Sequence, residues 1–465
     1  MRRTQFSSLL LASLLPLTLA SASWAETAEP SAPSTVGPSP GTSASTSPST
    51  SPGTATGTSV ACPVVASQLT ASQAAVAFAL AGRKLAAAAQ ASKRYPFGAL
   101  TDQTRYVRTG PTAWTSGFFP GELWSMYRWT GSSQWLRRAR AATAPLVRVA
   151  NDRGTHDLGF MIGVPMQLAT QLDPSQARKR AYLNAEITAA KSLARRWNGQ
   201  VQAIKSADYN GRWGVIIDSA MNAPLMIKVG QLLGPEGNAL VYFGEQHMLT
   251  LAKHFIRDNG STFHRMAFNP ATGALIGPIA GQGLASTSST WARGQAWAIN
   301  GFARSYELTG NPEFLKAAET TANYWMSRVP PGCVPAWDLD VSGNRAPRDS
   351  SAAAIAASGL LTLAAREPDA ESARTYADYA KLTLGTLASS GWLNTSTKNP
   401  GILLQQSLNV PADPRVGSYV WGDYYLLAAI AQVFAPRSST HPEPTNSPTP
   451  TMSTTPTTPL PTTSN

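Results

Sequence analysis

Residues 217–234 read IDSAMNAPLMIKVGQLLG. A polar turn carrying one carboxylate, Asp218, leads into Leu225, Met226, Ile227, Val229, Leu232 and Leu233, so the segment reads as a helix apolar on most faces and buried all round. Five other stretches repeat this plan. They start near Trp114 (WTSGFFPGELWSMYRWTG), His156 (HDLGFMIGVPMQLATQL), Trp291 (WARGQAWAINGFARSYELTG), Asp349 (DSSAAAIAASGLLTLAAR) and Gly422 (GDYYLLAAIAQVF). Between them lie amphipathic stretches with Lys, Arg and Glu on one face, at 71–91, 133–149, 174–196, 238–257, 312–328 and 370–388. Two joints share their wording: Trp129-Thr130-Gly131 before Gln134-Trp135-Leu136, and Leu308-Thr309-Gly310 before Glu313-Phe314-Leu315. The repeating unit is a helix pair. Six inner helices alternating with six outer ones predict an all-α (α/α)6 barrel over residues 61–436, with an irregular solenoid of helix pairs as the competing architecture. Extended signals are few, at 275–278 and 334–338.

Outside this core the composition changes. Arg2 and Arg3, an apolar run from Leu9 to Ala20 and the small-residue pattern Ser23-Trp24-Ala25 read as a secretory leader over 1–25, so an extracellular protein is expected. The run is too short and too interrupted for a membrane span. Residues 26–60 and 437–465 are rich in Ser, Thr, Pro and Gly and read as tethers without a packed core. The charges of the two tails cancel, so the formal net charge of +12 falls on the core. A basic exported core can hold acidic polymers, glycan or nucleic acid, and charge alone does not choose between them. Cys62 and Cys333 are the only cysteines, and in an oxidising compartment they can staple the start of the core to a distant loop. The five histidines show no paired ligand spacing, and no metal site or cofactor is expected.

If the inner helices run alike, the turns at their N-termini converge on one mouth, where free N–H groups favour an anionic ligand. Four carboxylates occupy such turns: Asp157, Asp218, Asp349 and Asp423. Each could simply cap its helix, a role that contributes about 1 kcal/mol. Asp218 stands apart because Val215-Ile216-Ile217 precede it and Met221 and Pro224 follow, dry surroundings that raise a carboxyl pKa. Trp114, Phe118, Phe119, Trp291 and Trp297 lie in or just inside the same turns and are either core or platforms for sugar rings. Arg293, on the first turn of an apolar helix, needs an anion as partner.

These motifs together resemble glycoside hydrolase family 88, the unsaturated glucuronyl hydrolases. The matching wording is His156-Asp157-Leu158-Gly159-Phe160, Ile216-Ile217-Asp218-Ser219-Ala220-Met221-Asn222, Trp291-Ala292-Arg293-Gly294-Gln295-Ala296-Trp297, Pro347-Arg348-Asp349-Ser350-Ser351 and Gly422-Asp423-Tyr424-Tyr425. The resemblance implies an (α/α)6 barrel without a cofactor, acting on oligosaccharides that end in an unsaturated uronic acid. It implies Asp218 as general acid/base and Asp157 as a second essential carboxylate. It further implies Trp114 and Trp297 as stacking residues, with His264, Gln282 and Arg293 as substrate-binding residues and no nucleic acid among the partners. In one place the chain departs from the family: Ser206-Ala207-Asp208 stands where many members have Trp before Asp. An unsaturated rhamnogalacturonyl hydrolase on the same barrel would lack the Asp157 carboxylate, and a non-catalytic glycan-binding protein would lack one of the two. A helical-barrel lyase would need a Tyr/His/Arg grouping that the sequence does not display.

Overall fold

A computed structural model describes residues 60–62, 66–92, 94–281, 283–343 and 345–434. The expected leader, nearly all of the 26–60 tether and the 437–465 tail lie outside the described residues. Twelve α-helices follow in order: α1 (Ala71–Ala91), α2 (Phe118–Thr130), α3 (Ser133–Thr143), α4 (Val164–Leu172), α5 (Gln176–Ala194), α6 (Pro224–Leu233), α7 (Asn238–Phe255), α8 (Ala292–Thr309), α9 (Pro312–Arg328), α10 (Ser350–Ala364), α11 (Ala370–Leu387) and α12 (Val420–Phe434). The even-numbered helices are the inner ones. α2 packs on α4, α6 on α8, α8 on α10 and α10 on α12, and α12 returns to α2 to close the ring. α1 lies against both α2 and α12 and covers that closure from outside. The architecture is the (α/α)6 barrel.

The repeated joint has a physical reason. Gly131 and Gly310 end α2 and α8 in the left-handed region, at φ 65° and 67°, where glycine carries no Cβ penalty. Just before them, Thr130 and Thr309 donate back to Met126 and Ser305 carbonyls at 2.7 and 2.8 Å. Ser132 and Asn311 then cap α3 and α9. One device thus reverses the chain at both hairpins.

Phe118, Phe160, Trp297 and Tyr425 meet across the barrel axis, with centroids of neighbouring rings 5.0 to 6.1 Å apart. This aromatic layer is the centre of the core.

Extended structure exceeds the sequence expectation. Gln406–Asn409, Asp413–Tyr419, Tyr95–Leu100 and Val107–Thr109 form one four-stranded sheet, and Ala207–Tyr209, Arg212–Ile216, Arg265–Phe268 and Leu275–Pro278 form another. Both sit at the N-terminal end of inner helices, because Asp413–Tyr419 runs straight into α12 and Arg212–Ile216 straight into the Asp218 turn. Val334–Pro335 pairs with Val60–Ala61, and beside this short ladder Cys62 and Cys333 form a disulfide with Cα atoms 4.2 Å apart.

Candidate active site

The Asp218 turn is built in three steps. The strand Arg212–Ile216 ends in a single 3-10 turn, Ile217–Met221, before Pro224 opens α6 with its missing N–H at a position that needs none. Ile217 N–H donates to the His264 carbonyl at 2.9 Å, which sets His264 beside the turn. His264 Nε2 then lies 3.7 Å from Asp218 Oδ2.

A buried histidine fixes the same turn from below. His247 on α7 accepts the Ile204 N–H at Nδ1 (3.0 Å), so its proton sits on Nε2 and points to Ser219 Oγ at 2.8 Å. The Ser219 hydroxyl donates onward to the Ile216 carbonyl. Burial, and then the neighbouring His156, hold His247 neutral by lowering its pKa to about 3.

The Asp157 turn packs directly on the Asp218 turn. Phe160 N–H donates to Asn222 Oδ1 at 3.0 Å, and Asn222 Nδ2 donates to the Asp218 carbonyl at 3.3 Å. A Cβ at Gly159 would stand 2.5 Å from Asn222 Cα, so only glycine permits this approach. Asp157 Oδ2 accepts the Thr155 hydroxyl at 3.0 Å, and His156 Nε2 lies 3.6 Å from Asp157 Oδ1.

The four carboxylates now divide. Asp349 caps α10, accepting from Ser351 and Ala352 N–H, and takes Arg293 Nη1 at 2.5 Å. Asp423 accepts Ile402 and Leu403 N–H and Gln406 Nε2, which anchors the 402–406 loop. Both are fully buried and committed to structure. Among the described residues Asp157 and Asp218 cap no helix. Their side chains retain 19% and 16% exposure, enough to meet a ligand in the mouth. Asp218 Oδ2 is buried and has no hydrogen-bond partner among the described residues. Burial first, and the Asp157 charge second, raise the Asp218 carboxyl to about 7, against the opposing pull of Arg293 and Arg265. The result is a carboxyl that carries and returns a proton near neutral pH.

Two sequence expectations change. Trp297, expected to stack on sugar, is 1% exposed and wedged between Phe160 and Tyr425, because it lies a full turn inside α8 rather than in the turn before it. Arg293 does find an anion, but the protein supplies it: besides Asp349 the guanidinium binds the Ser407 and Leu408 carbonyls at 2.7 and 2.8 Å and sits 4.5 Å over the Trp291 ring. It therefore knits α8, α10 and the strand Gln406–Asn409, and its influence on the mouth is a field rather than a grip. Trp114 stays half-buried against Phe118, Phe160 and Trp421 and keeps a face available. Gln282 lies outside the described residues. Asn222, Ser219 and His247 were not singled out from sequence; Asn222 and Ser219 stand inside the quoted motif, whereas His247, midway along an outer helix, carries no local signal.

The helical barrel with two uncommitted carboxylates at its N-terminal mouth defines a glycosidase of the six-hairpin class. No protein-family model matches the chain. The unsaturated glucuronyl hydrolase of Formosa agariphila is 37% identical over 325 residues, 68% of this chain and 79% of that protein. The unsaturated glucuronyl hydrolase of Bacillus sp. strain GL1 is 32% identical over 342 residues, 71% of this chain and 88% of that protein. A crystal structure of an unsaturated glucuronyl hydrolase specific for heparin superposes with a TM-score of 0.72 at 30% identity, covering 78% of this chain and 96% of that one. The chain belongs to the unsaturated glucuronyl hydrolases, glycoside hydrolase family 88.

Proposed function

We propose that the protein removes a 4,5-unsaturated uronic acid from the non-reducing end of lyase-generated acidic oligosaccharides by hydrating the vinyl ether. The observation that carries this reading is the buried, unpaired Oδ2 of Asp218 on a carboxyl raised to about 7. The C4=C5 bond of such a sugar is conjugated to the ring oxygen, so a positioned acid protonates C4 and leaves a cation at C5. Asp218 supplies that proton and, as carboxylate, accepts one from the water that adds at C5. The resulting hemiketal opens and releases the neighbouring sugar. This differs from displacement at the anomeric carbon, in which two carboxylates act across the glycosidic bond.

Asp157 keeps Asp218 protonated through like charge and accepts hydrogen bonds from sugar hydroxyls. His264, 3.7 Å from Asp218, and Trp114 complete the contacts to the sugar. Ala207, at the position of a family aromatic, leaves one wall of the mouth open, so the preferred leaving sugar differs from that of members with Trp there. The Ser/Thr/Pro-rich ends, the leader pattern and the disulfide support work outside the cell. A panel of lyase-generated unsaturated disaccharides, followed by loss of ultraviolet absorbance, tests the reading. At least one should be consumed by the parent and none by Asp218→Asn; consumption of none, or equal consumption by both, would refute it.

A further inference from the structure

The end of the barrel opposite the two aspartates is hollow. A cavity of about 870 Å3 lies between the C-terminal halves of the inner helices, with its inner end at Gly159 and Met221, the underside of the turns that carry Asp157 and Asp218. Its size falls within the ~300–1,000 Å3 typical of small-molecule sites. Six cations line it: Arg128, Lys228, Arg304, Arg366, Arg374 and Lys381. Against them stand two carboxylates, Glu186 and Glu307.

Helix dipoles do not account for the excess. Cations are favoured at helix C-termini, but in each hairpin an outer helix begins where the inner one ends, so peptide dipoles of opposite sense meet there and largely cancel. The internal ion pairs account for some of the cations. Lys228 binds Glu186 at 2.5 Å, and Arg304 and Arg366 share Glu307. Lys381 binds Asp378 at 3.1 Å, while Arg128 and Arg374, the latter exposed at the rim, have no ion pair or hydrogen bond among the described residues, so positive charge remains on the lining.

A second observation narrows the ligand. Gln167, Asn300, Thr362 and the Tyr424 ring extend the lining with amides, a hydroxyl and an aromatic. Cations, amide and hydroxyl groups and an aromatic surface together match a sugar that bears an acid group. We propose that this cavity is a second ligand site, separate from the catalytic mouth, that takes a carboxylated or sulfated mono- or disaccharide. The site stands whether or not the mouth performs the hydration.

Equilibrium dialysis of the full chain with a saturated glucuronyl-glucose disaccharide, which has no double bond to react, tests this directly. The double variant Arg128→Ala/Arg374→Ala should bind one disaccharide fewer per chain than the parent, with its melting temperature unchanged and its turnover of unsaturated disaccharide at most twofold changed. Equal numbers bound by parent and variant overturn the proposal, as does a variant that loses folding stability along with binding. Inorganic sulfate at the same concentration should leave most of this disaccharide in place. Complete displacement by sulfate would show a simple anion site and overturn the assignment to a sugar.

Discussion

Phe160 N–H donates to Asn222 Oδ1 at 3.0 Å, and through that bond the turn bearing Asp157 is tied to the turn bearing Asp218. The two carboxylates come from different hairpins, and their spacing is set by this contact and by the absence of a side chain at Gly159. Gly159→Ala should push the turns apart, and a misplacement of about 1 Å lowers turnover by roughly 100-fold. Asn222→Ala should act in the same direction. The check is kcat with an unsaturated disaccharide alongside a thermal melt; full activity in a folded Gly159→Ala would show that the spacing is not critical.

The pH dependence follows from Asp218. Its folded pKa of about 7 lies above that of an exposed aspartate, so the acid form that protonates C4 is present below 7. kcat/KM should fall tenfold per pH unit above that point. The same raised pKa adds stability at low pH that is lost as pH rises through about 7. Asp157→Asn removes the second largest cause of the rise and should lower the pKa, which carbon-13 NMR of the labelled carboxyl would read. An unmoved titration would mean that burial alone sets it.

Arg293 should reveal itself first as a structural residue. Arg293→Ala leaves Asp349 buried without its cation, a defect that costs about 3–5 kcal/mol in comparable buried pairs. Arg293→Lys keeps the charge and loses the bonds to one of the Ser407 and Leu408 carbonyls, so it should be intermediate. Denaturant unfolding measures this. Unchanged stability of Arg293→Ala with a raised KM would restore the reading of Arg293 as a direct substrate ligand.

Cys62 and Cys333 are 271 residues apart in sequence. Closing so long a loop contributes up to about 5 kcal/mol by the chain-entropy estimate. Reduction should lower the unfolding midpoint accordingly while turnover at 25 °C persists, since the bridge fastens the Val60–Ala61 and Val334–Pro335 ladder and not the turns that carry Asp157 and Asp218. Loss of activity before unfolding would place the disulfide among the determinants of the site.

The inner helices were legible because burial on all sides leaves an unmistakable composition, and the outer ones because a charged face recurs at helical spacing. The limits 71–91 and 312–328 coincide with α1 and α9. The sheets were not, because their partners are far apart: Gly417 pairs with Leu100, and DPRVGSY offers no alternating apolar pattern. Four aspartates looked alike from sequence, all placed before inner helices. Only the fold shows that Asp349 and Asp423 are bound to neighbours while Asp218 is left with an unpaired oxygen. That Arg293 needs an anion could be read from its apolar helix, but not that the anion is Asp349, 56 residues on. His247 was illegible because its partners, Ile204 N–H and Ser219, belong to a two-residue strand and a turn remote in sequence.

The course of the reaction leaves an atomic record. If Asp218 protonates C4 and water adds at C5, reaction in oxygen-18 water should place the label on the former C5 of the open-chain product, and deuterium from solvent should appear at C4. The bond from C1 to the glycosidic oxygen breaks once the ring has opened, so that oxygen should leave with the released sugar. Asp218→Asn keeps the shape of the side chain and removes the exchangeable proton, so turnover should fall by at least the roughly 100- to 10,000-fold usual for loss of an acid or base. Binding of the disaccharide should persist, since the substitution leaves the hydrogen bonds around Ile217, Ser219 and Asn222 untouched. Oxygen-18 found at the anomeric carbon, with no deuterium at C4, would mean direct displacement and would overturn the hydration chemistry even in an enzyme that consumes these sugars.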